Sequence, residues 1–261
     1  MQVRDKLNTL EGYKTRIKEL KGYIEKGEND IKALKESEEK GIQLYPLPNN
    51  QVIQNKNKTI LNYKFIIFIT AYSMGESIER LRTQYSSIVF LMEKSWKKSG
   101  GYVDMIWMLS IGIMLDIEDA EIAKLAEMVK GDNPKDYLID FLIHSRISSW
   151  GETSDKFMFK LPYQTTKEII SLSKIDKDNG LERLKKYLAK EWYRGHSSSG
   201  WYDSHKHGII HYGYWSFESG ALVKILGLDD SSLKNMQYYP YDMVHGKEEN
   251  AAKKHTWTIF D

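Results

Sequence analysis

The chain has 261 residues, of which 41% are hydrophobic and 28% are charged, and it contains no cysteine. The lack of cysteine excludes disulfide bonds, thiolate nucleophiles and thiolate zinc sites, and it suits a cytoplasmic protein. The net charge of +2 is too small to predict attraction to nucleic acid or to anionic lipid. Its two most apolar stretches are shorter than the ~20 residues of a membrane-spanning helix. We therefore expect a cytoplasmic protein that contacts neither nucleic acid nor a membrane directly.

The first predicted element is a long amphipathic helix over residues 3–39. Apolar residues recur there at spacings of three and four, namely at Leu10, Tyr13, Ile17, Leu20, Ile24, Ile31 and Leu34. This spacing places them in one stripe on an otherwise charged helix. The stripe favours packing within its own domain; the alternative is a coiled-coil scaffold that assembles through residues 3–39.

The rest of the chain is predicted to be helical as well. A loop over residues 41–57 precedes one long helix from about Thr59 to Trp96, which the glycines at 100 and 101 would end. Further helices are predicted at 102–115, 120–129, 135–150, 165–173, 180–193 and 212–227, with a short one after Asp229. No stretch alternates long enough to build a sheet. The expected fold is all-α with two helical subdomains, residues 1–130 and 131–245, and a tail at 246–261.

The sequence contains no pattern that supports catalysis. Six of the seven histidines lie after residue 195, and His207 and His211 are four apart, which would place them on one helix face. However, the HGIIH segment lacks the glutamate of a zinc-protease motif, and there is no phosphate-binding glycine-rich loop or nucleophile elbow. We predict no catalytic residue, no metal site and no cofactor. The alternative is a helical metal-dependent enzyme that uses the late histidines.

Aromatic residues are concentrated between Trp192 and Tyr241, and acidic residues lie among them. From His196 to the end of the chain there are eight Asp and Glu against six Lys and Arg. Tyr and Trp are frequent anchors of protein interfaces, whereas stacking on nucleic acid would need Arg and Lys beside the rings. An acidic aromatic surface therefore predicts a basic protein partner. The other interpretation is an aromatic core whose polar tips face water.

Several segments resemble the PoNi family of immunity proteins. The block GYWSFESGALVKILGLDDSSLKNMQYYPYDMVH at 213–245 is similar to the C-terminal signature of that family. Shorter segments are similar to other parts of its two domains: RDKLNTLEGYKTRIKELKGYIEK (4–26), YSMGESIERLRTQY (72–85), GYVDMIWMLSIGIMLDI (101–117), DYLIDFLI (136–143) and YLAKEWYRGHSSSGWYDSHK (187–206). The resemblance covers nearly the whole chain up to His245.

The resemblance implies an all-α, non-enzymatic protein that binds and neutralises a PoNe-type DNase toxin of the PD-(D/E)xK superfamily, delivered between competing bacteria. A DNase cleft must be basic to hold phosphates, so an acidic aromatic surface could compete for it. The residues expected to bind the toxin are Tyr202, Asp203, Tyr214, Trp215, Glu218, Tyr238, Tyr239 and Asp242.

Overall fold

The computed structural model of the chain describes residues 2–246. No strand occurs among these residues, so the all-α prediction is confirmed. The described residues form two compact units: one contains residues 2–96 together with Asp203–Gly213, and the other contains Lys97–Tyr202 and residues 214–246. The sequence domains at 1–130 and 131–245 stay a prediction, and all of the predicted tail after residue 246 lies outside the described residues.

The first unit contains three long helices and a short 3₁₀ segment. They are α1 (Leu10–Glu39), α2 (Asn49–Met74), α3 (Ile78–Ser95) and the 3₁₀ segment Ser204–Ile210. The predicted stripe of α1 is buried at Tyr13, Ile17, Leu20, Ile24 and Leu34, and α1 packs along α2. The stripe therefore packs within the chain, as the first interpretation, packing within its own domain, predicted.

Three predicted boundaries in this unit were wrong. α1 begins at Leu10 and not at residue 3, because the Thr9 hydroxyl accepts a hydrogen bond from the Gly12 backbone N–H and so caps the helix there. The predicted loop at 41–57 is shorter, since α2 starts at Asn49, directly after Pro48. The single helix expected from Thr59 to Trp96 is two helices.

The break between α2 and α3 has a local cause. Gly75 ends α2 with a φ of 102°, a conformation that favours glycine. The Ser77 side chain then accepts a hydrogen bond from the Arg80 backbone N–H and starts α3. A left-handed glycine followed two residues later by a capping serine therefore turns the chain within three residues.

The second unit is built around a buried helix. Its α-helices are α4 (Lys98–Met114), α5 (Asp119–Asp132), α6 (Tyr137–His144), α7 (Thr165–Ile175), α8 (Lys177–Lys186), α9 (Trp192–Gly195), α10 (Phe217–Leu226) and α11 (Tyr241–Val244). A π-helical turn, Tyr187–Glu191, joins α8 to α9, and Ser231–Leu233 is a 3₁₀ turn. Nearly every residue of α4 from Tyr102 onward is buried, and α5, α6 and α10 pack against it.

The predicted helices of this unit needed four corrections. α4 runs through Gly100 and Gly101, which were expected to end a helix; Gly101 instead absorbs a kink with φ −132°. The helix predicted at 135–150 ends at His144, and a 20-residue connection without regular structure follows. α8 begins at Lys177 and not at Gly180, because Asp176 caps it. The helix predicted from 212 begins at Phe217, since the Ser216 N–H bonds to the Tyr238 carbonyl instead.

None of the helices formed by residues 2–246 combines the length and the apolar character that crossing a membrane requires.

Candidate partner-binding surface

The aromatic residues of the second unit form one continuous cluster. Trp192 from α9 is fully buried, and its ring lies 5.7 Å from that of Trp201 and 4.9 Å from that of Tyr238. Trp192 thus forms the base of the cluster. The rings of the outer residues rest on this base, so the core interpretation of the aromatic region is correct for part of it.

Three tyrosines on the outside of this cluster stack on each other, and we call them the tyrosine stack. The ring of Tyr193 lies 4.4 Å from that of Tyr202 and 5.4 Å from that of Tyr238, and both pairs are nearly parallel. All three residues are partly exposed. Because each ring is held by its neighbour, the stack is a rigid aromatic surface that loses little conformational entropy when a partner binds.

The eight residues predicted to bind a partner divide into two groups by exposure. Four are buried: Tyr214, Trp215, Glu218 and Tyr239 are between 0% and 8% exposed. The other four are partly exposed: Tyr202, Asp203, Tyr238 and Asp242. The cluster brings together Tyr202, Tyr214 and Tyr238, whereas Asp203 belongs to the first unit. Their contacts with a partner stay a prediction.

Glu218 is a fully buried carboxyl group at the start of α10. Its Oε1 atom accepts hydrogen bonds from the Tyr187 hydroxyl at 2.9 Å and from the Ser216 hydroxyl at 2.7 Å. Burial raises the pKa of Glu218 to about 7, and burial also raises the pKa of Tyr187 well above its ordinary value. Tyr187 therefore keeps its proton and donates it. Glu218 holds the π-helical turn to α10, behind the cluster.

The YYPYD segment is held by a second carboxylate. The Tyr239 hydroxyl donates to Oδ2 of Asp230 at 2.6 Å, and Nε2 of His245 lies 2.8 Å from Oδ1 of the same residue. Asp230 thereby links the acidic turn at residues 229–230 to the segment that carries Tyr238. Asp242 lies in the first turn of α11, and Asp229 is an exposed residue of the acidic turn at residues 229–230. Both carboxylates therefore belong to segments that Asp230 holds.

Two of the late histidines, His196 and His211, are buried and hydrogen-bonded. In the second unit, His196 is buried between the Trp192 carbonyl (2.8 Å) and the Tyr163 hydroxyl (3.0 Å), and burial lowers its pKa to about 4. In the first unit, Nε2 of His211 lies 2.8 Å from Oδ2 of Asp5, and its Nδ1 lies 3.0 Å from the Ser204 hydroxyl. Across residues 2–246, no group of three or more His, Cys, Asp or Glu residues is placed to hold a metal ion.

A cleft of about 470 Å³ lies beside His196 in the second unit. Phe159 and Leu161, which are 49% and 67% exposed, form part of its wall together with Tyr163. These residues were not predicted from the sequence, because no role was assigned to the connection between α6 and α7. The available signal was the long gap at residues 151–164 between the predicted helices, since unstructured connections of this length are uncommon in compact domains.

The first unit supplies one of the predicted acidic residues. Asp203 has a φ of 60° and its carboxylate receives a hydrogen bond from the Lys206 ammonium group at 2.6 Å. The same 203–213 segment continues to His211 and reaches the N-terminal residues through the bond to Asp5. Asp203 is therefore presented from a segment that is itself anchored in the first unit.

An all-α chain with a rigid, partly exposed aromatic surface fits the class of proteins that bind another protein. The sequence model of the family described as "PoNe immunity protein (PoNi), N-terminal" matches residues 4–127, and that described as "PoNe immunity proteins (PoNi), C-terminal" matches residues 134–243. The two matches cover most of the chain in tandem, so the chain belongs to the PoNi family, as the resemblance predicted. Its function is immunity against a PoNe toxin, which suggests a non-enzymatic role.

The fold is similar to a solved structure. Protein PA2201 from Pseudomonas aeruginosa has a crystal structure that matches with a TM-score of 0.58 at 19% sequence identity, over 77% of this chain and 76% of that chain. At this identity the likeness shows a shared fold alone. A search of curated proteins found no match.

Proposed function

We propose that this protein binds a PoNe-type DNase toxin in the cytoplasm and neutralises it by covering the basic cleft that would hold DNA. The tyrosine stack is the observation that carries this proposal. Tyrosine rings supply large contact areas at low entropic cost, and three stacked rings form a preorganised centre for an interface.

Charge supports the same partner. Asp242 and Asp229 lie on segments that Asp230 holds together, and Asp203 adds a carboxylate from the first unit. A protein that binds DNA must carry positive charge where the phosphates lie, and carboxylates are attracted to that surface. The buried residues of the predicted set, Glu218 and Tyr239 among them, then act by positioning their exposed neighbours.

The experiment is a binding and protection assay with the toxin domain encoded beside this gene. Replacing Tyr202 and Tyr238 by alanine removes two of the three stacked rings, and we expect the Kd for a catalytically inactive toxin domain to rise about tenfold or more. Cells that produce active toxin should then lose protection. The matched control is Tyr23→Ala, which removes a 53% exposed tyrosine from α1.

The result has three informative forms. Weaker binding by the Tyr202/Tyr238 variant, with an unchanged melting temperature and a normal Tyr23 variant, supports the tyrosine stack as the contact surface. Full protection by the Tyr202/Tyr238 variant would show that this surface is misplaced. No binding of the toxin domain by the wild-type protein would contradict the proposed partner itself.

A further inference from the structure

The outer side of the helical turns at residues 190–194 carries two cations next to the tyrosine stack. Lys190 lies three positions before Tyr193 and four before Arg194, a spacing that places side chains on one side of a helix. Lys190 and Arg194 are exposed and Tyr193 is partly exposed, whereas Trp192 in the same turn is fully buried. We call Lys190 and Arg194 the cationic edge of the tyrosine stack.

The backbone under the cationic edge is fixed from the buried side. Lys190 lies in the π-helical turn Tyr187–Glu191, which leads directly into α9. The buried Tyr187 hydroxyl donates to Glu218 of α10 at 2.9 Å, and the buried Trp192 ring forms the base of the aromatic cluster. Turns of the π-helical kind are rare and are frequently found at functional sites. The two cations are therefore presented from a rigid turn, which lowers the entropic cost of binding.

Neighbouring acidic groups do not neutralise the cationic edge. The glutamates of α7, α8 and the π-helical turn are already compensated by other cations, in the contacts Glu182–Lys185 (2.6 Å), Glu168–Arg183 (2.7 Å) and Glu191–Arg183 (2.9 Å). The charge of Lys186 also acts on Glu191. Asp178 is about 18 Å from Lys190 along the helix axis, at ~1.5 Å per residue. Within residues 2–246, the side chains of Lys190 and Arg194 form no ion pair or hydrogen bond.

Charges of both signs around the tyrosine stack favour a protein as its partner. The segment that carries Tyr238 also carries Asp242, which is partly exposed. DNA and anionic membranes present negative charge alone, which the cationic edge attracts but Asp242 repels. A protein surface can present carboxylates to Lys190 and Arg194 and basic side chains to Asp242. The immunity function of the family also requires a partner other than a second copy of this chain.

We propose that Lys190 and Arg194 bind carboxylates on the surface of the protein that the tyrosine stack contacts, and that they help to select this partner. The inference rests on the proposed function, in which that protein is the toxin. Acidic side chains at the border of the toxin's basic cleft then face the cationic edge. Arg194 can hold such a carboxylate through two parallel hydrogen bonds, and Arg and Tyr are the residue types enriched at the centres of protein interfaces.

The test measures binding of the catalytically inactive toxin domain to charge variants of the full chain. Lys190→Glu together with Arg194→Glu turns attraction into repulsion, and we expect the Kd to rise about tenfold or more. The matched control is Lys130→Glu with Lys174→Glu, which makes the same change in net charge at exposed lysines of α5 and α7. The control should bind the toxin domain as the wild type does. Circular dichroism checks that each variant is folded.

A neutral variant separates lost attraction from new repulsion. Lys190→Gln with Arg194→Gln removes both charges and keeps polar side chains of moderate length on the turn. We expect its Kd to rise about threefold to fivefold. Its affinity should also fall less than that of the wild type between about 0.05 and 0.5 M salt, because fewer charge contacts remain to be screened.

The outcomes separate this inference from the proposed function. Weaker toxin binding by the glutamate and glutamine variants, with a normal control, supports the role of the cationic edge. Wild-type affinity in both variants overturns that role and leaves the proposed function in place, whereas no toxin binding by the wild-type protein overturns both. Binding of a short DNA duplex or of phosphatidylglycerol vesicles that the glutamate variant loses, or a dimer in light scattering that it abolishes, also overturns the inference.

Discussion

Individual buried polar groups, more than surface charges, organise the second unit at the scale of the residue. Glu218 accepts hydrogen bonds from Tyr187 and Ser216. Because its pKa is raised from 4.5 to about 7, the folded protein between these pH values keeps a proton that the unfolded chain has released. His196 is the reverse case, since burial lowers its pKa to about 4. The two groups therefore act on stability in opposite directions as the pH changes.

We expect Glu218→Gln to change the pH dependence of stability. The folded pKa of Glu218 is raised from 4.5 to about 7, so wild-type stability attributable to this group falls as the pH rises between those values. Glutamine cannot ionise. The free energy of unfolding of the variant minus that of the wild type should therefore increase between about pH 5 and pH 8, by up to about 3 kcal/mol.

Urea unfolding of both proteins across this pH range measures the difference. His196 is present in both proteins, so its opposing contribution cancels in the comparison. Parallel stability curves for the variant and the wild type would show that Glu218 is ionised in the folded protein throughout the range.

At the scale of the element, a few side chains decide where helices begin and how connections are held. Asp136 caps α6 by accepting from the N–H groups of Leu138 and Ile139, at 3.0 and 3.1 Å. Its other oxygen accepts from the Tyr102 hydroxyl of α4 at 2.6 Å and from the Met158 N–H at 2.9 Å. One buried carboxyl thus joins two helices and the long connection that forms the cleft.

Asp136→Ala should therefore cost more than the loss of an ordinary helix cap. It leaves buried donors on three segments without this acceptor, and we expect a loss of about 3 kcal/mol or more in the free energy of unfolding. The control is Asp176→Ala, which removes the more exposed cap of α8 and should cost about 1 kcal/mol. Urea unfolding compares the two, and equal losses would contradict the bridging role of Asp136.

At the scale of the whole molecule, a segment distant in sequence completes the first unit. Residues 203–213 join the N-terminal 96 residues in one compact unit, and His211 is fully buried there against Asp5. The Ser73 hydroxyl of α2 also donates to the Tyr212 carbonyl at 2.8 Å. The N-terminal helices therefore depend on a segment of the C-terminal half of the chain.

We expect His211→Ala to destabilise the first unit by about 2 kcal/mol or more, because it removes buried volume and one hydrogen-bond partner of Asp5. Hydrogen exchange should quicken in α1 and α2. His207→Ala is the control, since His207 is an exposed residue of the 3₁₀ segment that directly precedes His211. Unchanged hydrogen exchange in α1 and α2 of the His211 variant would show that these helices are stable without the buried contact that His211 provides.

Toxin binding should depend on charge over the whole molecule. Reversing Asp203 and Asp242 to lysine should raise the Kd about tenfold and weaken protection while the fold remains intact. Between about 0.05 and 0.5 M salt the wild-type affinity should fall. Asp155→Lys is the control for Asp203, because Asp155 is an exposed carboxylate that, like Asp203, is paired with a lysine. Titration calorimetry measures the Kd of the wild type, of the Asp203/Asp242 variant and of the Asp155 variant. Wild-type binding that does not depend on salt would exclude charge attraction as the basis of toxin binding.

The local sequence determined the helical class and several helix positions, because helix periodicity and capping are short-range properties. The spacing of Tyr13, Ile17 and Leu20 was sufficient to predict the buried face of α1. The PoNi family was likewise recognisable from segments along nearly the whole chain, most specifically from the block at 213–245 that contains YWSFESGA and YYPYD. Predicted helix boundaries were wrong where a single residue ends a helix, as Gly75 does. They were also wrong where a distant group takes a backbone hydrogen bond, as the Tyr238 carbonyl does with the Ser216 N–H.

Tertiary structure alone decided which predicted residues are exposed and which are buried. Trp215 and Tyr202 both belong to aromatic–polar segments of similar composition, yet Trp215 is 8% exposed and Tyr202 lies in the outer stack. The exposure of Leu44 and Tyr45 and the burial of Glu218 also contradict what hydrophobicity alone favours. Burial depends on contacts between residues far apart in the chain, such as His211 with Asp5, and no local pattern contains that information.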